Sequence, residues 1–112
     1  MTEEQQEKAA RTEALFRGVN ERIAESAARF GSDDASFVCE CDDAECAHRI
    51  QATLDEYHGV RQDPARFLVL DGHVDPEIER VATRTRRFTI VEKITPLVRA
   101  TVERLDPRAQ QA

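Results

Sequence analysis

The chain has 112 residues, 40% of them hydrophobic and 34% charged, with a formal net charge of −6. That length suits one domain, the composition lies outside the disordered range, and no apolar run approaches the roughly 20 residues that cross a bilayer. Fourteen acidic against seven basic side chains fall in residues 1–62, so the first half disfavours binding along a phosphate backbone.

The N-terminus, MTEEQQEKAA, is acidic and polar rather than a basic-then-apolar leader. It predicts a cytoplasmic protein whose thiols stay reduced. Residues 3–30 follow as one long helix. Phe16, Val19, Ile23, Ala27 and Phe30 recur at three- and four-residue steps and so share a face. Glu7/Arg11, Glu13/Arg17 and Glu25/Arg29 are spaced i,i+4 with the acid first, the order that supports an exposed helix face. Gly31 is the expected C-cap. Residues 1–12 lack large apolar side chains and are expected to fray.

Ser36 to Cys41 is a short β-rich run in which Phe37, Cys39 and Cys41 share one face. Asp42 to Glu45 form a loop to Cys46, and residues 49–52 make a short extended piece. Thr53-Leu54-Asp55-Glu56 is a capping box, predicting a helix to about Arg61. Phe67 to Leu70 reads as a buried strand ended by an Asp71-Gly72 turn that presents His73. Residues 78–83 fit a helix or a strand. A hairpin across 78–93 is preferred, because 88-FTIVEK-93 is a clear strand. The turn holds Arg84, Arg86 and Arg87, read as surface rather than as a nucleic-acid contact. Thr95-Pro96 opens a last amphipathic helix with Leu97, Val98, Val102 and Leu105 inward, and 106–112 form a loose tail.

All three cysteines lie within 37-FVCECDDAECAH-48. An odd count argues against a closed disulfide framework. With no Trp, five Phe and one Tyr, the core is mostly aliphatic, and a metal brace would help it. The spacing C-x-C-x4-C places two thiols on one side of an extended segment and returns a third through a polar loop. Zinc takes four such ligands in a tetrahedron, commonly three Cys and one His. Glu40, Asp42, Asp43 and Glu45 surround the thiols. Their charge opposes a reactive thiolate and favours a bound cation. Nucleophilic catalysis would need a base and an oxyanion site, and no such motif is present. Spacing alone leaves the fourth ligand open between His48, local to Cys46, and His73, projected from a Gly turn. His58 falls in a helix and reads as an exposed histidine.

The order FVCEC…C…TLDEY..VR..P..FLV..GH..PE.ERV……VEK, from about Asn20 to Lys93, resembles a family of small uncharacterised actinobacterial proteins. The resemblance implies a site at Cys39, Cys41, Cys46 and His73, with no requirement for a histidine at position 48. It implies no particular activity.

The sequence therefore predicts a single α+β domain spanning residues 1–112. A long N-terminal helix packs on a small, mostly antiparallel sheet from residues near 36–41, 67–71, 78–83 and 87–93, braced by a structural zinc. The metal ligands are Cys39, Cys41, Cys46 and His73, with His48 the alternative fourth, and Asp71 is positioned to orient the His73 ring. The expected function is that of a small non-enzymatic zinc-stabilised domain, a regulatory or protein-interaction module with a protein partner. The alternative is a small metal- or thiol-dependent enzyme or redox sensor using Cys39, Cys41 and Cys46.

Overall fold

Residues 1–109 are described by a computed structural model. Helix α1, Glu3–Arg29, begins at a capping box: the Thr2 hydroxyl accepts from the Gln5 amide, and the Gln5 side chain accepts from the Thr2 amide. The first dozen residues are therefore helical from Glu3 on, and Ala9 and Ala10 are buried. The helix ends in a Schellman motif. Gly31, at φ 73°, lets its own amide reach Ala28 O (3.1 Å) and the Ser32 amide reach Ala27 O (2.9 Å).

The face α1 buries differs from the apolar stripe expected. Its fully buried positions are Ala10, Glu13, Arg17, Asn20 and Ala24, at helical spacing. Phe16, Val19, Ile23 and Ala27 flank them half-buried, and Phe30 is 83% exposed. Glu7–Arg11 forms the expected surface pair at 3.1 Å. Glu13 and Arg17 instead turn inward to separate partners. Arg17 donates to Pro64 O (2.7 Å) and Val102 O (2.6 Å) and lies 4.4 Å over the Phe67 ring. Long-range partners override the local pairing that the spacing predicts.

Five strands follow: β1 Asp34–Val38, β2 Arg49–Thr53, β3 Arg66–Val69, β4 Glu79–Arg84 and β5 Thr89–Lys93. They form two antiparallel sheets rather than one. β1 pairs β2, with Phe37 opposite Ile50, and the other sheet has order β3-β5-β4. Residues 79–93 make the preferred hairpin, with a register shift between Val81 and Thr83. Its Arg turn lies on the surface, where Arg84 pairs with Asp71 and Arg87 with Glu56.

Two further helices complete the fold, α2 Leu54–Val60 and α3 Pro96–Arg104. α2 starts at the expected Thr53/Glu56 capping box. Thr95 stands at the N-cap of α3, but its hydroxyl donates to Glu77 O rather than capping the helix. The expected loose tail is held as far as it is described. Asp106 is buried and paired with Arg61, and Arg108 meets Glu21 at 2.6 Å. Residues 110–112 of that tail lie outside the described residues.

α1 thus packs against β1 and α3, over a core of Phe37, Ile50, Tyr57, Phe67, Leu68, Ile78, Val91, Val98 and Val102. Tyr57 stacks on Phe37 at 4.6 Å. The chain is α+β, with a long N-terminal helix on small antiparallel sheets. No helix among the described residues is long and apolar enough to cross a membrane.

Candidate metal centre

The loop between β1 and β2 carries the cysteines. The hairpin ladder extends one step past Val38, because the Cys39 amide donates to His48 O (3.1 Å). Extended backbone then sends alternate side chains to opposite sides. Cys39 and Cys41 go one way and Glu40 goes the other. An Asp43 turn closes the loop: its side chain accepts from the Glu45 amide (2.9 Å) and its carbonyl from the Cys46 amide (3.0 Å). Cys46 is thereby returned toward Cys39.

His73 arrives from the other sheet. β3 ends in a turn closed by the His73 amide on Leu70 O (3.0 Å), with Gly72 at φ 92°. A positive φ at the third turn position is what glycine permits at no steric cost. Space is not the constraint, since a Cβ at Gly72 would meet nothing within 4 Å.

One ligand atom from each of Cys39, Cys41, Cys46 and His73 lies within 4.8 Å of all the others. His73 Nδ1 stands 3.6 Å from both Cys39 Sγ and Cys46 Sγ. A tetrahedral zinc with ordinary Zn–S and Zn–N bond lengths requires S···N edges of about 3.6 Å and S···S edges of about 3.8 Å. The four residues are therefore close enough to hold a metal ion. Cys39 and Cys41 are buried, and Cys46 and His73 half-buried. The Leu70 amide donates to Cys39 Sγ at 3.4 Å, a contact that favours sulfur carrying negative charge.

Without a cation the sulfurs compete for protons. The Cys39–Cys41 hydrogen bond raises Cys39, with burial adding to it, and lowers Cys41 to about 5. Burial raises Cys46. Three adjacent thiolates repel, and a dication held among them would displace the protons that Cys39 and Cys46 retain. The low Cys41 value comes first from its neighbouring thiol, contrary to the expectation that the local carboxylates would raise it.

The carboxylates divide in a way their sequence proximity does not reveal. Glu40 is fully buried on the side away from the sulfurs. It accepts from Asn20 Nδ2 (2.7 Å) and from the Leu68 amide (2.9 Å), while its own amide donates to Leu68 O (2.8 Å). Burial raises its pKa. Glu40 therefore ties α1 to β3 and does not line the sulfur cluster. Asp42 is pushed up to about 7, first by burial and then by its hydrogen bond with Asp75. Asp71 does not serve as the expected orienting acceptor for His73. Its carboxylate is committed to Arg84 at 3.1 Å, on the surface.

His48 lies outside the four-atom group. It is exposed, with its ring edge-on to His73 at a centroid distance of 5.2 Å. His58 is exposed on α2 and contacts Arg108 at 2.9 Å.

Polar residues at the base of the fold were not recognised as buried from the sequence. Lys93 is fully buried and bonded to both Glu13 and Glu79, with its ammonium 4.7 Å over the Phe67 ring. The available signal was the 10-13-17-20-24 spacing, in which three polar residues are flanked by alanines on one helix face.

Fold and site together define a small α+β domain with a Cys3His group able to hold a metal ion. No protein-family model, no curated protein and no solved structure matches the chain.

Proposed function

We propose that this chain is a small non-enzymatic domain stabilised by a structural zinc, which acts as a regulatory or interaction module toward a protein partner. The observation that carries the metal reading is the convergence of four ligand atoms within 4.8 Å from two separate sheets. Three thiolates and one imidazole are soft to borderline donors, a set that suits zinc rather than magnesium or calcium. Four protein ligands complete a tetrahedron and leave no open position for a substrate, the mark of a structural rather than a catalytic site. Support for a partner comes from α1 and its C-cap, where Leu15 is 68% and Phe30 83% exposed.

A thiol-based reading draws on the depressed pKa of Cys41. Cys41 is only 2% exposed, however, and its thiolate is stabilised by the same neighbours that would share an ion.

Cobalt(II) substitution tests the ligand set. The expected spectrum has the d–d bands of a tetrahedral ion and intense sulfur-to-cobalt charge transfer. His73→Ala is expected to lose the tetrahedral bands, and His48→Ala to keep them. An octahedral spectrum in the wild type, or loss of the bands in His48→Ala alone, would contradict the assignment.

A further inference from the structure

The metal reading leaves His48 without a task, yet its position is specific. Cys39 and Cys41 are the buried sulfurs of the cluster, and half-buried Cys46 and His73 form its more open side. On the open side lies a shallow pocket of about 500 Å³ lined by Asp43, Glu45, Cys46, Ala47, His48 and His73. It holds two of the four ligands, a further imidazole and two carboxylates. The His48 backbone is fixed by the hairpin ladder, since its carbonyl accepts from the Cys39 amide. Its side chain is exposed, and exposed side chains change rotamer within nanoseconds.

We propose that His48 is an exchange ligand, the group through which the ion enters and leaves the Cys3His site. The proposal rests on the reading that the cluster binds a divalent metal. In the exchange step a ring-nitrogen lone pair of His48 forms a bond to the ion as the Cys46 Sγ–ion bond breaks. Cys46 leaves as the thiolate with both electrons of the broken bond, and no proton is transferred. No electron is transferred, and the ion remains four-coordinate throughout with two sulfur and two nitrogen ligands. It has moved toward the pocket, where an incoming ligand can displace imidazole instead of a third thiolate. Asp43 and Glu45, both exposed at the same pocket, raise the local concentration of cations. Cys46 is the sulfur that yields because it is the least buried of the three.

Two measurements on the full chain test this. In the first, zinc-loaded protein is mixed with excess chromogenic pyridylazo chelator and transfer is followed in time. His48→Ala is expected to slow transfer about tenfold, or roughly 1.4 kcal/mol in barrier, while the equilibrium zinc affinity stays nearly unchanged. His58→Ala, which alters an exposed histidine held by Arg108, is expected to transfer at the wild-type rate. In the second, Cys46→Ala is loaded with cobalt(II). Tetrahedral bands are expected to persist, weaker in charge transfer, and to vanish in Cys46→Ala/His48→Ala.

Equal transfer rates in wild type and His48→Ala overturn the proposal, as does a Cys46→Ala protein with no tetrahedral cobalt. A wild type that binds no ion overturns the metal reading itself and this step with it. That outcome is distinguishable, because it appears before any variant is compared.

Discussion

Stripping zinc from the loaded protein with a strong chelator is expected to lower the midpoint of thermal unfolding by on the order of 15 °C. Cys39, Cys41 and Cys46 sit in the β1–β2 loop, whereas His73 follows β3 in the other sheet. An ion there joins two sheets that share no strand pairing. A ligand that binds only the folded state stabilises it by about 4 kcal/mol when present at a thousand times its dissociation constant. Chelation removes that contribution and leaves three sulfurs packed together without a cation. Cys41→Ser is expected to melt near the stripped wild type and to show no further response to chelator. The chelator-insensitivity separates loss of the ion from ordinary damage by the substitution. A wild type whose midpoint does not move would show that any bound ion is incidental to folding.

Replacing Lys93 with methionine is expected to cost about 3–5 kcal/mol, read from urea unfolding of zinc-loaded protein. The side chain bridges Glu13 of α1 and Glu79 of β4 and is buried with both. One ammonium balances one carboxylate. The second carboxyl is kept neutral: burial pushes Glu13 up to about 8, against the pull of Lys93. Removing the ammonium leaves two adjacent buried carboxyls without a counter-charge. Removing both carboxyl groups with Glu13→Leu and Glu79→Gln in the Lys93→Met background is expected to recover most of the loss. The cost lies in the uncompensated charge rather than in the side-chain volume.

The same triad sets a pH dependence. The Glu13 carboxyl holds its proton in the fold up to about 8, whereas the unfolded chain releases it near the ordinary value of 4.5. The folded state therefore binds the extra proton between those values, and stability falls as pH rises through the window. Glu13→Gln removes this component, so the difference between variant and wild type should change progressively from about pH 5 to about pH 8. Parallel pH profiles would mean that Glu13 is already ionised in the fold.

The elements that the sequence announced are those with local causes. The Thr53/Glu56 capping box, the Gly after α1 and the FTIVEK strand each depend on neighbours within a few residues, and each is found in place. The second sheet was less visible, because RIQAT turns only Ile50 and Ala52 inward and is recognised through its partner β1. In the buried layer of Glu13, Arg17 and Asn20, the i,i+4 spacing of Glu13 and Arg17 points to helix surface instead. Those side chains are charged or polar, and the groups that satisfy them are far along the chain: Lys93 for Glu13, Val102 for Arg17, Val38 and Glu40 for Asn20. Nothing in a helical spacing pattern encodes such partners.

The candidate site shows the same division. The three cysteines are conspicuous because soft donors at short spacing have few other uses. Choosing between His48 and His73 by spacing was undecidable, since it depends on how β3 lies against the β1–β2 loop. The Glu40 and Leu68 backbone and side-chain contacts fix that placement, and Glu40 was itself misread as part of the acidic fringe around the thiols. His73 lies with the sulfurs because a turn in one sheet meets a loop of the other.

The most direct test of the central claim is elemental analysis of the protein purified without chelator. Zinc is expected at close to one ion per chain in the wild type and in His48→Ala, and none in Cys41→Ser or His73→Ala. A wild type devoid of zinc, or zinc retained in full by Cys41→Ser, would contradict it.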